Sequence, residues 1–422
     1  MHVRFIAAAA LAGAAVAVLS PAAAEAAPVI VARTGITSFN LPDFSSINSS
    51  TVAINDARQA AIKVGVVGGT GGAAGLFYGS YAGGVGTGGI VHTTAAGNVI
   101  SDADLNDLGA AAFYNLDTGR LWAYDPVNGD RSINFPLGIS GISGVNLTNA
   151  GRVGGRLDVG FSGDVFGTFD QQTSGNPALT TWAVDSGVDG GSPYSFLFTP
   201  DFAQDAARAG SKVMLAAGGN QIRRFADDAT SALIASDRQA DAASPYQSFG
   251  NGVAISDDGT KLTFQARLFG TSNDAIVLYD AADGSLTTVA AEGSGGISVL
   301  DAFAADVNDA GQVVFRGDAG DGSAVFLWDG GTITRVAGVG DQIETDLGLR
   351  QLGRRDGQSS QGGMPRINNL GDVAYTFQYF DPADINSVAD GTLVLVTVVP
   401  EPTSAVMALA GGGLLALRRR RR

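Results

Sequence analysis

One short phrase recurs along this chain and constrains its fold more than any other feature. It reads Asn or Ser, Asp or Asn, any residue, then Gly, followed by a strand of alternating apolar residues that ends in an aromatic. Four copies are clear: Asn106-Asp107-Leu108-Gly109, Ser256-Asp257-Asp258-Gly259, Asn308-Asp309-Ala310-Gly311 and Asn368-Asn369-Leu370-Gly371. Weaker copies stand at Asn55-Asp56-Ala57-Arg58, at Thr148-Asn149-Ala150-Gly151, and around Gly210. With the fourth residue as anchor, positions 58, 109, 151, 210, 259, 311 and 371 are separated by 51, 42, 59, 49, 52 and 60 residues, a mean period of about 52. A period of this length marks a repeat architecture in which one unit cannot bury its own apolar faces.

A second phrase follows the better anchors. A strand ends in aromatic-Asp, a tight turn follows, and a further strand closes on Val-Ala, as in Val277 to Asp280, Asp283-Gly284 and Leu286 to Ala290. Phe326 to Asp329 with Gly330-Gly331, and Leu121 to Asp125 with Asn128-Gly129, repeat the pattern. These turn pairs supply the positive φ of two-residue hairpins, and the alternation has period two rather than 3.6. Each repeat is therefore about four short antiparallel strands. Seven such units, with six to eight as the bounds, predict an all-β chain folded as a β-propeller over residues 28–398. An open β-solenoid and a pair of smaller β-domains are the competing architectures. Val29-Ile30-Val31-Ala32 matches the closing phrase but precedes every anchor, whereas the last repeat ends at Leu393 to Val398 without it. The N-terminal strand is thus expected to complete the last blade. The repeats resemble the N-x-x-G-x-x-A-F tandem repeat of bacterial surface proteins and, more distantly, the TolB-like propeller repeat. Arg58 departs from the anchor glycine, and Gly154-Gly155 from the apolar pair after Gly151.

The two ends read as addresses. Residues 1–24 have a basic start at Arg4, an apolar stretch from Phe5 to Leu19, and small residues at Ala22 and Ala24 where signal peptidase would cut; shifted cuts extend to residue 27. Residues 399–422 read Val399, then Pro400-Glu401-Pro402, an apolar run from Thr403 to Leu417, and Arg418, Arg419, Arg420, Arg421 and Arg422. Such a run stalls in a membrane with its arginines on the cytoplasmic side. Its 15 residues fall short of the ~20 that span a bilayer, which suits a transient anchor. This tail resembles a PEP-CTERM sorting signal. The resemblance implies recognition by an exosortase-type membrane enzyme, cleavage near Pro400 to Pro402, and delivery to the cell surface or extracellular matrix. An ordinary single-span anchor is the rival reading. A short apolar helix is expected at each terminus, and the membrane is met only through these segments.

Composition limits the chemistry. No cysteine is present, which excludes disulfides and thiolate sites, and His92 is the single histidine outside the leader. A Ser-His-Asp triad would have to use His92, and no G-x-S-x-G elbow accompanies it. Of 26 basic residues, six lie in the terminal segments (Arg4 and Arg418–Arg422), leaving 20 against 41 acidic ones and a net charge near −21. Nucleic acid and anionic lipid are poor partners for such a surface; cations, cationic polymers and neutral glycans, including extracellular polysaccharide, are compatible with it. The Gly-rich segment Gly65 to Gly89 lacks a phosphate-loop lysine and is expected to form flexible connections. No cofactor is expected; the Asp/Asn-Gly turns invite calcium, with Asp102 to Asn106 nearest to a chelating loop, though turn chemistry accounts for the same residues. Trp122, Tyr279, Phe315 and Trp328 recur at equivalent positions and read as blade core, while Trp182 falls outside the phrases as a ligand-contact candidate. The leading expectation is a non-enzymatic surface or matrix protein. The alternative is a carbohydrate-active hydrolase or lyase working through carboxylates in the channel.

Overall fold

A computed structural model of the chain describes residues 27–47, 50–69, 72–302, 305–357 and 361–398. The leader, the sorting tail and the helix expected in each lie outside the described residues, together with Ala22, Ala24, Pro400, Glu401, Pro402 and Arg418 to Arg422.

Seven antiparallel sheets follow one another along the chain. The first runs Val52–Ile54, Gln59–Val64, Ala73–Ser80 and Thr87–Ala96, and the second, third and fifth repeat the four-stranded meander. In the fourth and sixth sheets the first strand is split in two, as Tyr194–Leu197 with Asp201–Phe202 and Val299–Leu300 with Asp306–Val307. The seventh is built from Gln361–Ile367, Val373–Phe380, Gly391–Thr397 and the N-terminal Val29–Arg33. Val29 pairs with Val396 and Arg33 with Leu393, so the first strand of the chain closes the last blade as expected. An extra hairpin, Gln342–Thr345 and Gly348–Leu352, adds to the edge of Val373–Phe380. Each blade's first strand faces the central axis, and its apolar sides pack against the next blade. Ile276 and Leu278 of the fifth blade, for example, share one cluster with Val313 and Phe315 of the sixth.

The recurring phrase is the turn between the first and second strands of each blade. Gly109, Gly151, Gly259, Gly311 and Gly371 all adopt positive φ there. The fourth copy requires a correction. Gly210 lies inside the strand Arg208–Leu215, paired with Asp201, and the turn is Ala203-Gln204-Asp205-Ala206, with Ala206 at φ 58°. The neighbouring spacings thereby change from 59 and 49 to 55 and 53. Arg58 takes the same left-handed conformation, at φ 57°, and its Nε donates to the buried Asp372 carboxylate of the last blade at 3.0 Å. The gap left by Gly154-Gly155 is filled from the neighbours, since the Phe202 ring and the Ile142 side chain occupy the space their β-carbons would need. The Gly-rich segment is also more than connections. It contains the core strand Ala73–Ser80, in which Gly79 passes so close to the Thr87 carbonyl that a β-carbon would stand 2.2 Å from it.

Candidate functional site

Along each first strand, alternate residues face the axis, and equivalent positions from the seven blades form rings. The second residues of the turns, Asp56, Asp107, Asn149, Gln204, Asp257, Asp309 and Asn369, make one ring at the end of the channel. In it backbone N–H groups donate to the next blade around the full circle. Asp56 N donates to Asp107 Oδ1 (3.1 Å), Asp107 N to Asn149 Oδ1 (2.8 Å), Asn149 N to the Gln204 carbonyl (2.9 Å), and Gln204 N to the Asp257 carbonyl (2.9 Å). Asp258 N then donates to Asp309 Oδ1, Asp309 N to Asn369 Oδ1, and Asn369 N to Asp56 Oδ1 (2.8 Å). The leading Asn of the phrase reinforces this. Asn106, Asn308 and Asn368 each donate Nδ2 to a backbone carbonyl of the following blade, at Thr148, Asn368 and Asn55 respectively. Their Oδ1 atoms meanwhile accept the N–H four residues on. The phrase therefore encodes a blade-to-blade fastening as well as a turn.

Ring closure crowds carboxylates. One oxygen from each of Asp56, Asp107 and Asp257 lies within 4.8 Å of the others. Burial, then the charges of Asp107, Asp309, Asp306 and Asp56, push the Asp257 carboxyl up to about 8. Asn369 Nδ2 donates to Asp257 Oδ2, and Asn149 Nδ2 to Asp107 Oδ2, so amides offset part of the repulsion. The loop Asp102 to Asn106 does not converge on one point. Asp102 pairs with Lys63 (3.1 Å), Asp104 faces the channel, and Asn106 fastens the third blade.

Three positions before each anchor's second residue lies a further ring that the sequence reading missed: Ala53, Asp104, Asn146, Asp201, Ala254, Asp306 and Arg366. The signal was present as an acid or base, an apolar residue and then the turn, in Asp104-Leu105-Asn106, Asp306-Val307-Asn308 and Arg366-Ile367-Asn368. Asp104 Oδ2 accepts from Leu147 N (2.6 Å), Asp201 Oδ2 from Ile255 N (2.9 Å) and Asp306 Oδ2 from Ile367 N (2.9 Å), each on a neighbouring blade. Arg366 donates to Asp306 Oδ1 at 3.3 Å. Asp104, Asp201 and Arg366 keep some accessible surface, but it faces the axial space and not the exterior, so all three are desolvated as interior groups. Burial pushes Asp201 up to about 7 despite the nearby Arg366 and raises Asp104 as well. On the far side of this ring from the turns, the channel widens into a cavity of about 310 Å³.

The remaining sequence candidates are structural. His92 is 7 % exposed, holds Asp130 of the second blade through Nδ1 at 2.8 Å, and packs against Phe113 and Trp122. Trp182, expected to contact a ligand, is buried against Phe202 with ring centroids 4.8 Å apart. Phe315 is core, and Trp122, Tyr279 and Trp328 are partly buried against blade clusters.

Comparison with known proteins then locates the tail. A model of the PEP-CTERM protein-sorting motif matches residues 398–422, beginning one residue after the last strand. The chain ends in a PEP-CTERM sorting motif. The motif implies an exported protein processed by an exosortase-type enzyme. A second model, described as a family of unknown function (DUF7453), matches residues 211–406, from the fourth blade into the PEP-CTERM tail. No curated protein matches. Among solved structures, an oligogalacturonate lyase in complex with manganese is 12% identical over 89% of this chain and 97% of its own, with a TM-score of 0.53. The propeller domain of the trilobed protease from Pyrococcus furiosus is 10% identical, over 82% and 94%, at 0.50. A puromycin hydrolase mutant is 11% identical over 83% of this chain but only 54% of its own, at 0.51, so this chain spans about half of that enzyme. At such identities the likeness is one of fold. Among the described residues, no helix is long and apolar enough to cross a membrane.

Proposed function

We propose that the mature propeller is a surface-displayed, non-enzymatic protein of the cell surface or extracellular matrix, contacting polysaccharide or neighbouring matrix through its loops and channel mouth. The observation that carries this reading is how the axial carboxylates are used. Asp104, Asp201 and Asp306 each spend one oxygen holding the backbone of a neighbouring blade, a task of ring closure. The sorting motif supports it, because it starts where the last blade ends and so would release the ring whole.

The carbohydrate-active alternative draws on the same ring. Asp201, held protonated to about pH 7, and Asp306, facing Arg366, have the contrasting environments of an acid and a base. A polysaccharide panel incubated with the processed protein separates the readings. Retention on one or more polymers without new reducing ends or unsaturated products is expected. Polymer cleavage that Asp201→Asn abolishes would establish the enzyme instead.

A further inference from the structure

The first strands of five blades, the third to the seventh, break their pairing at one level. Register shifts fall between Ser143 and Asn146, between Phe249 and Val253, and between Gly362 and Arg366, while the fourth and sixth blades split their first strand after Leu197 and after Leu300. Bulges at matching depth in separate blades widen the channel at a chosen height, a device common beside binding sites. The result is the 310 Å³ cavity, large enough for a small molecule. Its walls carry Val145, Pro200, Val253, Met364 and Pro365 beside Asp102, whose charge is met by Lys63 at 3.1 Å, and its floor is the ring of Asp104, Asp201, Asp306 and Arg366.

The floor is unbalanced. Three carboxylates face one guanidinium, and Arg366 is engaged with Asp306. Among the described residues Asp104 and Asp201 accept from backbone N–H groups, Asp104 from Leu147 and Leu105 and Asp201 from Ile255, and both carboxylates line the cavity. An excess of negative charge in a desolvated space must recruit either protons or a cation. Proton uptake accounts for the elevated Asp201; above its titration the site calls for a positive ligand. Carboxylates at the bottom and apolar side chains around them match an ammonium head on a short hydrocarbon body. A bare metal ion would leave the apolar walls unused.

We infer that this cavity is a binding site for a small primary amine, whose ammonium group sits between Asp104 and Asp201 while its alkyl chain lies along Val145, Val253, Pro200 and Pro365. The assignment goes beyond surface display and holds whether or not polysaccharide is bound. Butylamine serves as the probe, titrated calorimetrically into the processed protein at pH 6 and pH 8, where the alkylammonium stays charged. Saturable binding that tightens at pH 8 is expected. Butanol, which has the body without the charge, should not bind. The double variant Asp104→Asn, Asp201→Asn retains an oxygen to accept from Leu147 and Ile255 N–H, and should lose at least tenfold in affinity while its circular dichroism stays unchanged. If the double variant unfolds, the single variants Asp104→Asn and Asp201→Asn are each expected to weaken binding at least threefold. Absence of butylamine binding to the folded protein, equal binding of butanol, affinity untouched by the substitutions, or calcium binding there in place of butylamine would each overturn the assignment.

Discussion

Asp257 occupies the second position of its turn, where its carboxylate reaches Asn369 of the seventh blade but must share space with Asp56 and Asp107. Burial and these neighbours raise its carboxyl from 3.8 to about 8. The native protein therefore keeps a proton that the unfolded chain releases near pH 4, and between those values it binds more protons than the unfolded chain does. The contribution of Asp257 to stability accordingly falls as pH rises from about 4 to 8 and is flat above that window. Asp257→Asn removes the titration while retaining an oxygen to accept from Asn369 Nδ2. Thermal melts of the two proteins should show the variant gaining on the parent between pH 5 and pH 8, by roughly 1–2 kcal/mol once solvent access from the channel is allowed for. A stability difference that stays constant with pH would mean that Asp257 does not carry the raised titration.

The first hairpin of each blade is the element in which sequence and structure are most closely tied. Its turn was legible because it needs positive φ at the fourth residue and a short amide or carboxylate at the first two, and few other segments combine those demands. The fourth copy was misplaced because Ala203-Gln204-Asp205-Ala206 carries neither the leading Asn nor the Gly, and the nearby Gly210 took its place in the reading. The axial ring of Asp104, Asp201, Asp306 and Arg366 went unread for a different reason. Period-two alternation says which residues share a face, but only closure of the circle shows that one face looks onto an axis. Two substitutions test the fastening. Asn308→Ala leaves the buried Asn368 carbonyl without its donor and the Gln312 N–H without its acceptor, and urea unfolding should report a loss of about 2–3 kcal/mol. Arg58→Gly relieves about 1 kcal/mol of left-handed strain, yet removes a guanidinium partner from the buried Asp372, worth about 3 kcal/mol. The balance should be destabilising by about 2 kcal/mol; a stabilised glycine variant would mean that backbone strain outweighs the link between the first and last blades.

At the scale of the whole molecule, the ring is closed by noncovalent pairing alone, since the chain has no cysteine. Val29–Arg33 enters beside Gly391–Thr397, and Arg33, 1 % exposed, anchors it through Nε and Nη2 to Asp346 (2.8 and 2.7 Å) and through Nη1 to the Tyr379 hydroxyl. This geometry limits where processing is tolerable. A leader cut anywhere from residue 24 to 27 spares Val29, and a cut near Pro400 to Pro402 spares Thr397, so both trims fall just outside the closing pair. Intact mass measurement of the surface-released protein should find both ends within those limits, and an intact arginine tail would instead mark a permanent anchor. Deleting residues 25–33 is expected to do far more harm than deleting residues 403–422. The first deletion bares the edge of Gly391–Thr397, strips cover from Val394 and Val396, and orphans Asp346, leaving a strand that another copy can pair with. Size-exclusion chromatography should show it as oligomers or aggregate with a melting temperature lowered by many degrees, while the tail deletion melts with the parent. A monomeric, equally stable protein without residues 25–33 would mean that the seventh blade holds with three strands and that the circle does not depend on its N-terminal fastening.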